Sequence, residues 1–182
     1  MNRTQLEHII RAAGSIAGDD EIVVIGSASV LAQVADIPER VLPSIEADVF
    51  PKNKAHMADV IDGTIGELSP FHDTYGYYAH GVSPGTAANL PKGWRRRLRL
   101  IRNANTRGVS GWCVEIHDLV AGKYASGREK DLRLARWLIR NGRLQKTRLI
   151  TRARKLSTTP GRRTYILSQI ESDFGVTNDS TK

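Results

Sequence analysis

Residues 23–33, VVIGSASVLAQ, and residues 44–51, SIEADVFP, decide the reading of this chain. The first is a β-branched run that ends at Gly26-Ser27 and passes into an apolar helical pattern of Val30, Leu31 and Val34. The second alternates, with Ser44, Glu46 and Asp48 on one side and Ile45, Ala47 and Val49 on the other, which is the period of a strand. Residues i and i+2 of a strand point the same way, so Glu46 and Asp48 face one region. Two carboxylates held that close repel unless one is protonated or a cation bridges them. Taken singly, each stretch is ordinary: Gly-Ser is a turn and N-cap, and E-x-D is a wet strand face. Taken together they suit a nucleotide. A glycine at a strand–helix junction lets backbone approach phosphate, and a helix N-terminus offers N–H groups and a positive dipole end. Mg²⁺ takes one or two carboxylates together with substrate phosphates. The intervening helix predicts a parallel crossover between the two strands, with both features at one end of the sheet.

Outward from this pair, Thr4-x-x-Glu7 has the form of a capping box, and Leu6, Ile9, Ile10 and Ala13 predict a helix over 4–17. Residues 21–25 read as a strand, and 37–43, with two prolines, as a loop. Asn53 is placed to cap a third helix through Met57, Val60, Ile61 and Ile65. Strands are expected at 75–80, 97–102 and 111–116. Helices are expected at 117–125, 128–140, 144–155 and 162–171, the second burying Leu132, Ala135, Leu138 and Ile139. Such an order predicts an α/β sandwich with a C-terminal helical cluster. His72, Asp73 and His80 fall in a tyrosine-rich stretch that reads as a pocket wall or aromatic strand, without a metal-ligand pattern. Cys113 reads as a core residue.

Charge is unevenly distributed. Residues 1–91 carry five Lys/Arg and twelve Asp/Glu, whereas residues 92–163 carry twenty-one against four, within a net charge of +8. A concentrated basic segment draws polyanions and makes their binding salt-dependent. Arg95, Arg96, Arg97, Arg148, Arg152, Arg154, Arg162 and Arg163 are its candidate contacts to a folded RNA. No run of about 18 apolar residues is present, so no membrane partner is expected. The N-terminus lacks the pattern of a signal peptide, and the single cysteine suits a reducing cytoplasm.

IGSASVLAQ with IEADVF resembles the signature of the nucleotidyltransferase superfamily of DNA polymerase beta: strand, Gly-Ser, helix, then a strand with two acids one apart. A second block, EIHDLVAGKYASGREKDLRLARWLI at 115–139, is similar to the later motifs of abortive-infection-type toxin nucleotidyltransferases of bacterial toxin–antitoxin systems. Those motifs map onto Lys123, Arg128 and Asp131, and residues 66–110 match no motif. The chain departs from the superfamily pattern at Glu46, where Asp is usual, and the third carboxylate has only Glu115 as a candidate. The resemblance implies a nucleotidyltransferase-like mixed sheet flanked by helices over 1–116, a helical part over 117–174 and a flexible tail over 175–182.

The resemblance also implies an activity: metal-dependent transfer of a nucleotide from an NTP to an acceptor hydroxyl, that of a tRNA 3′ end or other RNA. Gly26, Ser27, Lys123 and Arg128 would bind the nucleotide, and Glu46 and Asp48 the Mg²⁺ or Mn²⁺. Asp48, Lys123 and Asp131 would be catalytic, and a protein antitoxin would be a partner. Two other readings stay open: a small-molecule nucleotidyltransferase, and a catalytically silent module that binds RNA or protein.

Overall fold

The computed structural model describes residues 1–34 and 36–179. The chain divides into two compact units, one of Met1–Ala87 with Arg97–Glu115, the other of Ala88–Arg96 with the chain from Ile116 onward. The short segment Ala88–Arg96 thus goes with the helical part, not with a continuous core over 1–116.

The first unit is a five-stranded mixed sheet of β1 (Glu21–Ile25), β2 (Glu46–Pro51), β3 (Tyr78–Gly81), β4 (Arg99–Ile101) and β5 (Ser110–Cys113). Its order is β3-β2-β1-β5-β4. One face is dry: Ile22, Val24, Ala47, Val49, Ala79 and Cys113 have no exposed surface. Helices α1 (Arg3–Ala17) and α2 (Ala58–Ile65) pack on it, and α3 (Pro70–Tyr75) packs beside α2. The contact is close. A Cβ on Gly111 would sit 2.4 Å from Ile10 Cδ1, and one on Gly81 would sit 2.0 Å from the Ala58 carbonyl oxygen. The opposite face carries Glu46, Asp48, Tyr78 and His80, in register across β2 and β3.

Four expectations are corrected here. The apolar stretch after Gly26 is a six-residue 3₁₀ turn, Ser27–Ala32, instead of an α-helix. It is too short to carry the chain back along the sheet, and Pro38 and Pro43 interrupt the segment between it and β2. The chain therefore re-enters the sheet at the end it left, and β1 and β2 pair antiparallel, not parallel. Helix α1 is capped two residues earlier than Thr4-x-x-Glu7 suggests. The Asn2 side chain accepts from Gln5 N at 3.0 Å and Gln5 Oε1 accepts from Asn2 N at 2.8 Å. Glu7 is buried instead, taking bonds from Arg3, Asn103 and Asn105. Asn53 does not cap α2, because its side chain donates to Asp19 and Glu21.

The second unit is built around α4 (Ile116–Ser126), which is buried continuously from Ile116 to Tyr124. Helices α5 (Glu129–Arg140), α6 (Lys146–Ala153) and α7 (Pro160–Asp179) pack around it. A helix covered on all sides must pair any charge it carries, and α4 carries Asp118 and Lys123. In α5 the buried positions are Leu134, Ala135, Leu138 and Ile139, with Leu134 taking the place expected for Leu132. Residues 175–179 of the expected tail continue α7, and 180–182 lie outside the described residues. Among the described residues no helix is long and apolar enough to cross a membrane.

Candidate active site

The antiparallel pairing builds the candidate site of the sheet unit. In a parallel pair the end of β1 would lie beside the end of β2, a strand's length from the acids. Antiparallel, Ile25 pairs with Asp48, so Gly26 and the two carboxylates meet at one end of the sheet. Gly26 adopts φ 66°, ψ −166°, a region open almost only to glycine. A Cβ at this position would lie 2.1 Å from Asp48 Oδ2. Asp48 therefore folds its carboxylate over the bare Cα of Gly26, and both the backbone angle and the space demand glycine. Ser29, fully buried, fastens the turn by donating from Oγ to the Gly26 carbonyl at 2.7 Å. Ser27 is the first residue of the turn and half-buried.

Strand β3 adds two side chains that sequence reading did not place here. Register sets His80 beside Asp48 and Tyr78 beside Glu46. His80 Nδ1 lies 3.0 Å from Asp48 Oδ1, and its side chain is 51% exposed. A carboxylate at this distance favours a proton on the facing ring nitrogen, Nδ1. Tyr78 donates to Glu46 Oε2 at 3.1 Å. Burial, and then the negative charge of Glu46, pushes the Tyr78 hydroxyl up to about 12, so it remains a donor. The one available signal was the spacing of Tyr78 and His80, which repeats the i, i+2 spacing of the acids on an adjacent strand.

The two acids and the glycine fit a hard divalent cation that shares its shell with phosphate oxygens. Two carboxylates stand on one strand face, and the position of the missing Cβ is already filled by an acid oxygen. Among the described residues no three His, Cys, Asp or Glu side chains are grouped as a ready metal cage. Glu115, the candidate third carboxylate, is buried just after β5, whereas the position across from Asp48 on β3 is His80.

In the second unit Lys123, Arg128 and Asp131 are brought together. Gly127, at φ 71°, ends α4 and reverses the chain into α5. Lys123 Nζ then donates to Asp131 Oδ1 at 2.6 Å, and Arg128 Nε donates to Asp131 Oδ2 at 2.7 Å. Burial lowers the Lys123 ammonium below its ordinary value, against the opposing pull of Asp131. Burial also works to raise the Asp131 carboxyl, but the Lys123 bond and then Arg128 overcome it and hold it low. The three groups form one charged cluster with its carboxylate inside.

The candidate RNA contacts do not behave alike. Arg95, Arg96, Arg148 and Arg154 are exposed and Arg97 is half-buried. Arg152 is turned inward, its Nε 3.3 Å from Oδ1 of the fully buried Asp118, so its charge also serves an ion pair within the helical unit. The helical unit, from Ala88–Arg96 and Ile116 onward, carries eighteen Lys/Arg against six Asp/Glu, whereas the sheet unit carries nine against thirteen. Cys113 has no exposed surface and burial pushes its thiol up to about 12, which leaves it inert and in the core.

No curated protein and no solved structure matches the chain. A family model described as "Nucleotidyltransferase of unknown function (DUF6036)" matches residues 4–158, which take in the Gly26–Asp48 geometry and the Lys123–Asp131–Arg128 cluster alike. The chain belongs to that nucleotidyltransferase family.

Proposed function

We propose that the chain is a metal-dependent enzyme that transfers a nucleotidyl group from an NTP to a hydroxyl of RNA. The observation that carries this reading is the seating of Asp48 over Gly26, which brings the acidic strand face against the glycine turn. Glu46 and Asp48 would hold a Mg²⁺ or Mn²⁺ ion, which when bound supplies charge neutralisation and alignment to the triphosphate. Gly26 and Ser27 would receive the phosphates, the glycine by close approach and the serine by its hydroxyl. His80 would keep Asp48 in one orientation, and Tyr78 would do the same for Glu46. The acceptor hydroxyl attacks the α-phosphorus and loses its proton to water as its oxygen bonds phosphorus, while the bond to the oxygen bridging the α- and β-phosphorus breaks and pyrophosphate leaves. The protein's part is positioning and electrostatics.

RNA is the acceptor that the charge favours, since the helical unit is strongly basic and phosphates dominate RNA affinity. That concentration weighs against a small uncharged acceptor. The similarity to toxin nucleotidyltransferases supports the tRNA 3′ end as the acceptor site, and an antitoxin as the partner. One observation favours a second reading, a silent RNA-binding module: Glu46 stands where Asp is usual, and His80, not an acid, lies across from Asp48.

Incubation with Mg²⁺ or Mn²⁺, each α-labelled NTP and total tRNA separates the two. Label on RNA that disappears in Asp48→Ala supports transfer. RNA binding with no label from any NTP establishes the silent module.

A further inference from the structure

The two oxygens of Asp48 face different neighbours. Oδ2 is the one seated over Gly26, whereas Oδ1 is the one 3.0 Å from His80 Nδ1. A cation that approaches Oδ1 therefore meets the imidazole as well. The backbone holds the two residues together, because Asp48 and His80 are cross-strand partners in the β2–β3 register. Both remain reachable from solvent, the Asp48 side chain at 26% and that of His80 at 51% exposure.

The spacing of Nδ1 and Oδ1 suits two kinds of bond. It is a hydrogen bond as it stands. It is also the spacing of neighbouring donors on one octahedral ion, since two bonds of about 2.1 Å at a right angle hold their ends roughly 3 Å apart. An exposed Asp–His contact is by itself ordinary and contributes little. What distinguishes this one is the seat on Gly26, which fixes the carboxylate from its other side. Glu46 stands one residue pair away, with Oε2 accepting from Tyr78 at 3.1 Å. Asp48 and His80 are thus the two donors already at ligand spacing, and their exposure leaves further positions for water and phosphate oxygens. A neutral imidazole with its proton on Nε2 offers the Nδ1 lone pair to a metal.

We infer that His80, through Nδ1, is a nitrogen ligand of the divalent ion held by Asp48, and that this nitrogen turns the site from Mg²⁺ toward a first-row transition ion such as Mn²⁺. Mg²⁺ is a hard cation that takes oxygen donors, whereas first-row transition ions accept imidazole nitrogen readily. The inference rests on the reading of Asp48 as a metal ligand and adds a contact with the ion to the orienting part of His80. A histidine across from Asp48 is then a change in the choice of metal and not the loss of one.

The test is binding of Mn²⁺ to the full chain without nucleotide, read by pulsed electron paramagnetic resonance. The bound ion should show coupling to a directly ligated nitrogen, and His80→Ala should abolish it. Competition with Mg²⁺ separates a ligand from a hydrogen-bonded neighbour. If His80 ligates, His80→Asp should lower the ratio of Mn²⁺ to Mg²⁺ affinity about tenfold, because an oxygen donor replaces a nitrogen. If His80 only orients Asp48, His80→Ala weakens both ions by one factor and leaves the ratio as in the wild type. That unchanged ratio overturns the assignment. So does a wild-type spectrum without nitrogen coupling, a result that needs no variant to fold, and so does coupling that persists in His80→Ala, which would give the nitrogen to another histidine. Nitrogen coupling that depends on His80, with no NTP labelling any acceptor, means that nucleotidyl transfer fails and the metal assignment stands. Label on RNA without nitrogen coupling means the reverse.

Discussion

Replacing Gly26 by alanine tests the geometry on which the active-site reading depends. Two separate costs are expected. The backbone at φ 66°, ψ −166° is disfavoured for any residue with a Cβ, at about 1–3 kcal/mol. The new Cβ would also lie 2.1 Å from Asp48 Oδ2, so the carboxylate or the turn must move, an overpacking cost of about 1–3 kcal/mol. Their mid-range sum of about 4 kcal/mol lowers the melting temperature by roughly 8–16 °C for a chain of this size. The two costs separate in a double-mutant cycle. In Asp48→Ala the carboxylate is gone, so adding Gly26→Ala should cost only the backbone part, about 2 kcal/mol. Urea denaturation of the wild type, both single variants and the double variant measures the coupling. Label transfer by Gly26→Ala, assayed well below its melting point, should fall with the displacement of Asp48. A Gly26→Ala protein as stable as the wild type, or a cycle with no coupling, refutes the placement of Asp48 over Gly26.

Asp131→Ala leaves the buried Lys123 ammonium without its carboxylate, and the loss should be about 3–5 kcal/mol by urea denaturation. Arg152→Ala should lower the melting temperature, because Asp118 is fully buried beside it. Arg148→Ala and Arg154→Ala, both exposed, should leave the melting temperature unchanged and reduce the salt slope of RNA binding by about 0.7–0.9 each. Acid sensitivity should trace in part to Asp19. Burial acts to raise its carboxyl, but bonds from Asn53, then Glu21 and Lys54, outweigh this and hold it below its ordinary value. A carboxyl depressed in the folded state contributes stability above its unfolded value and loses it as pH falls through the folded one. Asp19→Asn should therefore be less stable near neutral pH and show a flatter decline in stability as the solution is acidified.

Much of the site was legible from local pattern. The β-branched run 21–25 and the alternation through Glu46 and Asp48 both became strands, because each pattern has a period that only one backbone geometry satisfies. The Gly127 break between α4 and α5 was legible for a similar reason, and it sets Lys123, Arg128 and Asp131 in contact. Strand pairing was not. The antiparallel return of β2 depends on the extent of a buried turn, and Ser27–Ala32 has the same apolar spacing whether 3₁₀ or α. His80 read as part of a pocket wall or aromatic strand, and its pairing with Asp48 was not legible because that partner is 32 residues away in the chain. The ion pair of Arg152 was not legible because its charge suits either water or a buried Asp118, and only packing chooses between them.

By itself, then, the sequence determined strands β1 and β2, the helices beyond residue 116, the acidic face of β2, the glycine before the turn and the concentration of positive charge beyond residue 91. These rest on periodicity, backbone freedom and charge count, all properties of neighbours along the chain. Tertiary structure alone decided that β2 returns antiparallel, that Asp48 closes over Gly26 beside His80, and that Lys123 is buried while Arg128 reaches solvent. Those outcomes turn on which distant groups share one dry or wet space, and that is set by the competition among all side chains for burial.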